Sequence, residues 1–257
     1  MDYIIICIVA LVGSALTLFS GFGLGTMLLP VFGLFFPIEI AIILTSIVHF
    51  LNNLFKLFVF GKKASIAVIL KFGIPAIIFA FLGAYILKLL TNMQPFFQYS
   101  ITEKPFVIMP IKLIIGILLL IFSIIEFIPK YKNMEFNKKY LPLGGILSGF
   151  FGGISGHQGA LRSAFLIRTN LSKESFIATG VVIACLVDVS RLTVYLPQII
   201  KKETSIDYQL LTLATISAFS GVYFGNKLLQ KTTIKTLQNF VAIMLMSYSI
   251  LLIFGIL

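Results

Sequence analysis

Long apolar stretches separated by short polar punctuation run through this chain from one end to the other. The windows at roughly 3–19, 40–60, 66–90, 110–128, 139–153, 174–196, 208–229 and 235–256 are each close to the ~20 residues a helix needs to cross about 30 Å of hydrocarbon. They predict an all-α integral membrane protein with about eight transmembrane helices, forming a single transmembrane domain over 1–257. Two further apolar pieces, 24–36 and 160–168, are too short to span. Each follows a glycine-rich break, so they read as half-helices or re-entrant segments.

The pattern repeats. In the first half, Ser20-Gly21-Phe22-Gly23-Leu24-Gly25 breaks a helix, a short apolar segment follows, and a long polar-striped helix runs from about Ile38 to Phe60. In the second half, Ser148-Gly149-Phe150-Phe151-Gly152-Gly153 reads as the matching break, Ala160 to Arg168 as the short segment, and Lys173 to Tyr195 as the striped helix. Aligning Glu39 with Glu174 sets Asn53 opposite Asp188 and Lys56 opposite Arg191. The expected organisation is two internal repeats, approximately 1–128 and 139–257. Broken helices in corresponding positions of two halves point to a transporter's midplane binding site.

The segment Gly152-Gly153-Ile154-Ser155-Gly156-His157-Gln158-Gly159-Ala160-Leu161-Arg162-Ser163 carries the most chemistry. Its glycines let backbone approach a ligand, the helix that follows offers a positive dipole end, and Arg162 adds a forked, permanently charged donor suited to oxyanions. His157, Gln158 and Ser163 are further donors. On the competing reading the glycines serve helix packing and Arg162 snorkels to the interface. An Arg beside His and Gln in a broken apolar segment is costly without a cavity, which favours anion binding.

Two polar stripes suggest coupling or gating. Thr45, His49, Asn52, Asn53 and Lys56 fall on one helical face, with Lys56 read as an interfacial residue that snorkels. His49 is the candidate for proton coupling, because its ordinary pKa lies near physiological pH. It could equally be a buried His hydrogen-bonded with Asn to neighbouring helices. Asp188, Arg191 and Tyr195 share a face of the second striped helix. Asp188 and Arg191 are three apart and can pair, as a structural ion pair or as a gate.

Composition narrows the classes. Of 257 residues, 59% are hydrophobic and 11% charged, which excludes an ordinary water-soluble domain. Mean hydropathy is +1.06, in the same direction. The net charge of +11 is spread singly and in pairs between apolar segments, the pattern of membrane-flanking loops and not of a nucleic-acid surface. Lys62-Lys63, the lysines between 130 and 139, and Lys201-Lys202 fall on one side if the N-terminus is cytoplasmic. Met1-Asp2 offers no positive leader region, so 3–19 is read as a mature helix. Cys7 and Cys185 lie in apolar helices, and neither a C-x-x-C nor an H-E-x-x-H motif occurs. These features argue against an enzyme and call for no cofactor and no metal. A membrane-embedded assembly scaffold and a metal or redox enzyme are the rival readings.

The duplicated broken helix, Ser20-Gly21-Phe22-Gly23-Leu24-Gly25-Thr26 leading to Pro30, and Ser148-Gly149-Phe150-Phe151-Gly152-Gly153 together resemble the sulfite exporter TauE/SafE family of membrane transporters over nearly the whole chain. Many members continue the second loop as a glycine run, whereas this chain reads Ser155-Gly156-His157-Gln158, a more polar loop that still suits an anion. The resemblance implies a secondary transporter of sulfite or a sulfur-containing organic anion. It also implies that the duplicated Ser-Gly loops, Ser20, Gly21 and Gly23 among them, line the site. The expected location is a prokaryotic plasma (inner) membrane, multi-pass. Expected partners are the anion, the bilayer, a coupling proton or cation and, compatibly, a second copy of the chain.

Overall fold

The computed structural model describes residues 2–20, 23–60, 63–128, 134–200, 206–228 and 234–257. Ten helices are described: α1 (Asp2–Ser20), α2 (Leu24–Phe35), α3 (Ile38–Phe60), α4 (Ile66–Thr91), α5 (Pro110–Phe127), α6 (Leu141–Ser155), α7 (Gly159–Leu166), α8 (Lys173–Ile200), α9 (Tyr208–Leu228) and α10 (Ile234–Ile253). Among the described residues, Ile38–Val59, Ile66–Thr91, Pro110–Phe127 and Lys173–Pro197 are long and apolar enough to cross a membrane. The other four expected spans are also helices, α1, α6, α9 and α10. At 15 residues α6 is about 22 Å long, short of the hydrocarbon thickness. Both expected short helices are present, as α2 and α7, and α7 is prolonged by a 3₁₀ turn at Ile167–Thr169.

The second break lies elsewhere than its glycines suggested. Ser148 to Gly153 are inside α6, and the chain turns at Gly156, whose φ of 77° is left-handed and favours glycine. The run packs instead of breaking. A Cβ on Gly145, Gly149 or Gly153 would sit 2.2, 2.3 or 2.2 Å from the carbonyl oxygens of Phe72, Ala76 and Ala80 on α4. Glycines four residues apart therefore let two backbones touch, the usual association device where lipid removes the hydrophobic drive between helices.

The same device joins α1 to α9, where a Cβ on Gly221 would sit 2.1 Å from the Leu11 carbonyl oxygen. α5 packs along α10, and α3 crosses α8 antiparallel. Exposed Lys63 and Glu174 pair at one end of that crossing, and buried Asn53 and Asp188 meet farther in. Leu28, Phe32, Leu44, Ile111, Ile115 and Leu245 fill the core between α2, α3, α5 and α10. The outer faces carry Phe58, Ile66, Ile78, Phe81 and Ile121, an apolar exterior suited to lipid and a liability in water.

One element was not foreseen. Phe97–Ile101 and Lys104–Ile108 form an antiparallel hairpin (β1 and β2) between α4 and α5. Its turn places Thr102 and Glu103 at φ of 48° and 68°, the two-residue geometry usually signalled by Asn-Gly, which is absent here. The Tyr99 hydroxyl donates to the Phe254 carbonyl at 2.7 Å and ties the hairpin to the end of α10.

Candidate functional site

The polar stripes of α3 and α8 face each other where the helices cross. His49 Nδ1 lies 2.7 Å from Asp188 Oδ2, and the Asn53 amide donates to the same oxygen at 3.2 Å. Arg191 reaches the other oxygen, Oδ1, through Nε at 3.1 Å and Nη2 at 2.9 Å. Asp188 and Arg191 are 0% and 1% exposed, so neither charge has water to fall back on. A buried carboxylate is tolerable only when paired and hydrogen-bonded, and three hydrogen-bond donors, His49 Nδ1, Asn53 Nδ2 and Arg191 Nε, meet that need, with Arg191 Nη2 close by as an ion-pair contact only. An ionised carboxylate only accepts, so the His49 Nδ1–H donates and Nε2 is left for other partners.

Both chain breaks come to this crossing. A Cβ on Gly23 would be 3.4 Å from His49 Nε2. One on Gly25 would be 3.6 Å from both the Gly156 carbonyl oxygen and Thr45 Cγ2. Gly156 in turn lies against Arg191, since a Cβ there would come within 2.8 Å of Nη1. Behind the turn, the Ser148 hydroxyl donates to the Gln158 carbonyl at 3.1 Å, and His157 Nδ1 donates to the Ser155 carbonyl at 3.0 Å. The His157 ring stacks on Phe122 at 5.8 Å between centroids.

A cavity of about 340 Å³ opens beside the crossing. α2 presents Gly23 and Leu24 to it, α3 presents His49, Asn53 and Lys56, α7 presents Arg162 and Ser163, and α8 presents Lys173, Phe176 and Gly180. The first turn of α2 therefore faces the cavity, with the Leu24 and Gly25 amide groups at a helix N-terminus free of helical partners. α7 contributes its flank and not its N-terminal end. The Arg162 side chain lies over Gly180, where a Cβ would stand 3.4 Å from Nε. Its Nη1 has one long contact, 3.4 Å, to Gln158 Oε1. Among the described lining residues there is no carboxylate, against three cations, Lys56, Arg162 and Lys173. The size and charge of the cavity, with Arg162 and Lys56 in its wall near a positive helix end, suit a small anion.

The expected site residues divide by place. Gly23, His49, Asn53, Arg162 and Ser163 line the cavity; Asp188 bonds to His49 in its wall, and Arg191 bonds to Asp188. Asn52 turns away toward α1 and accepts from the Ser14 hydroxyl at 3.0 Å. Tyr195 donates to the Gly153 carbonyl at 3.2 Å, and the Ser155 hydroxyl bonds back to the Phe151 carbonyl at 3.1 Å. The side chain of Ser20 and all of Gly21 lie outside the described residues. Lys56 was expected to snorkel, yet it is 5% exposed and faces Arg162 across the cavity. Its position near the end of α3 suggested the interface, but it lines the same cavity as Arg162 and Ser163 of α7. Gly180, the seat of Arg162, has no polar side chain by which the sequence could have marked it.

No curated protein and no solved structure matched the chain. The model of the family "Sulfite exporter TauE/SafE" matches residues 5–252, nearly the full length. With several long apolar helices around a buried, cation-lined cavity, the chain is a membrane transporter and belongs to the TauE/SafE sulfite exporter family.

Proposed function

We propose that the chain is a secondary transporter that moves a small anion, sulfite or a sulfur-containing organic anion, across a prokaryotic plasma membrane in which it is multi-pass with its N-terminus cytoplasmic. The observation that carries this reading is the cavity lined by both Arg162 and Lys56, with no carboxylate among its described lining residues. Two cations held together in a bundle repel, and an anion between them relieves that repulsion. The sulfur oxyanion comes from the family's name and fits the forked guanidinium of Arg162.

The two halves, 1–128 and 139–257, act in this reading as structural repeats, and their contacts support it. α1 of the first half packs on α9 of the second, α6 of the second packs on α4 of the first, and like meets like at α3 with α8 and α5 with α10. Such interlocking lets two similar units rock about the shared crossing and expose the cavity to one side and then the other. His49 is the coupling residue, placed with Nδ1 on Asp188 and its ring in the cavity wall.

Uptake of radiolabelled sulfite into proteoliposomes, under an imposed pH gradient, tests the proposal. The parent should exceed protein-free liposomes and Arg162→Ala should not, while remaining folded in the membrane. Equal flux in the two proteins would remove Arg162 from the site.

A further inference from the structure

Beside the Asp188–Arg191 pair lies a second set of polar groups that do not line the cavity. Arg191 is 1% exposed and has five N–H donors, yet Nε donates to Oδ1 of Asp188 while Nη2, 2.9 Å from the same oxygen, makes no hydrogen bond among the described residues. Its Nη1 lies so close to Gly156 that a Cβ there would come within 2.8 Å, so the glycine is what lets the guanidinium meet the second chain break. Thr45 Oγ1 and His157 Nε2 belong to side chains 2% and 4% exposed, and neither atom has a hydrogen-bond partner among the described residues. Orphaned polar atoms at such depth are rare because each costs the desolvation of an unmade bond. Here they gather about the junction of Gly25 with Gly156, where the two chain breaks touch.

We propose that Arg191 is the cation of a second anion station walled by Thr45, Gly156 and His157. Asp188 is its resident counterion, which the anion replaces once Asp188 has taken up a proton through His49. The inference rests on the anion-transport reading above and extends it from one station to two. The proton balance is simple. His49 Nε2 takes a proton from the cavity, the Nδ1 proton passes to Asp188 Oδ2, and a neutral imidazole and a neutral carboxylic acid remain. Arg191 then keeps a full positive charge without its anion, and the oxyanion takes that place. The Thr45 hydroxyl donates to the oxyanion, and His157 Nε2 accepts from a protonated oxyanion or, on a charged ring, donates.

The charged and titratable groups around Asp188 are His49 and Lys56 on α3, Cys185 and Arg191 on α8, and His157 and Arg162 from the second break and α7. Tyr195, one turn beyond Arg191, is held by the Gly153 carbonyl. From α1 the neighbours of α3 include Ser14, and from α4 the Ile77 carbonyl receives the Ser190 hydroxyl; none of these titrates.

Sulfite binding to the purified protein in lipid nanodiscs, followed from about pH 5 to 8 where an imidazole titrates, tests the proposal. Asp188→Asn frees Arg191 permanently. Its affinity should rise about tenfold, equivalent to about 1.4 kcal/mol, and it should take up one proton fewer per sulfite than the parent. Taking the difference cancels the protonation of sulfite itself. Arg191→Gln should weaken binding at least about tenfold with Arg162 untouched. Labelling of Asp188 in the parent by dicyclohexylcarbodiimide, which attacks protonated buried carboxyls, should increase when sulfite is added; this arm needs no variant to fold. Parental binding in both variants, or carbodiimide labelling that sulfite leaves unchanged, overturns the second station. Binding that is lost in Arg162→Ala but unmoved in these arms leaves the transporter reading standing. A parent that binds no sulfite overturns both.

Discussion

His49 on α3 and Asp188 on α8 meet at 2.7 Å, and through this contact the wall of the cavity reaches the buried Asp188–Arg191 ion pair. One ring nitrogen is committed to a carboxylate and the other lies in the wall by Gly23, so a proton entering at Nε2 has a continuous path to Asp188. Glutamine fills a similar volume and hydrogen-bonds, but it cannot carry that proton. His49→Gln is expected to abolish the response of sulfite flux to an imposed pH gradient and, since no proton then reaches Asp188, to slow exchange of labelled for unlabelled sulfite as well. Proteoliposomes assayed with and without the gradient separate the two. A variant that still responds to the gradient would place the coupling proton elsewhere.

Lys56 stands 5% exposed in the cavity wall, opposite Arg162. A hydrogen bond to a charged group contributes about 1.5–3 kcal/mol, so Lys56→Met should weaken sulfite binding roughly tenfold to a hundredfold while keeping much of the side chain's volume. Lys56→Arg should restore most of it. Filter binding or isothermal titration reads the constant directly. Parental affinity in the Met variant would mean that Lys56 is a packing residue whose ammonium the anion does not meet.

The stripe of α3 was legible because polar residues at helical spacing in an apolar segment must face protein or water. The Asp188–Arg191 pair was legible for the same local reason, being three residues apart on one helix. What could not be read was non-local. Nothing within α3 says that Lys56 shares a cavity with Arg162 of α7, so Lys56 looked like an interfacial lysine. Ser148 to Gly153 has the composition of a break, and the signal that it is a packing stripe was the four-residue period of Gly145, Gly149 and Gly153. The partners, Ala76 and Ala80, recur at the same period on α4, and only folding brings the two together. The hairpin was missed because its turn uses Thr102-Glu103 in place of a glycine.

Gly180 offers a graded probe of the Arg162 seat. A Cβ there would lie 3.4 Å from Arg162 Nε, a tight contact with a long and mobile side chain, so Gly180→Ala should bind sulfite within a few-fold of the parent. Gly180→Leu adds a branched group that must displace the guanidinium from the α8 surface into the cavity. It should remove binding as thoroughly as Arg162→Ala, with little change in melting temperature. Fluorescence-detected melting beside sulfite binding checks both halves of the expectation. Full binding by the Leu variant would show that Arg162 holds the anion from some other position.

Gly149 makes the opposite case, a glycine on which the fold depends and the cavity does not. Its missing Cβ would sit 2.3 Å from the Ala76 carbonyl oxygen and 2.6 Å from Ala76 Cα. Both are backbone atoms that cannot swing aside, so α4 and α6 must separate to admit even a methyl group. Overpacking of this kind typically costs about 1–3 kcal/mol. Gly149→Ala is therefore expected to lower the melting temperature of the purified protein, and Gly145→Ala, which meets the Phe72 carbonyl at 2.2 Å, should do so to a similar degree. The two sites share one interface, so the double variant should depart from the sum of the singles: once the helices have moved apart, the second methyl enters a gap already made. Parental melting in both single variants would show that α4 and α6 are less tightly apposed than these distances require, and the glycine run would again be open to a role as a hinge.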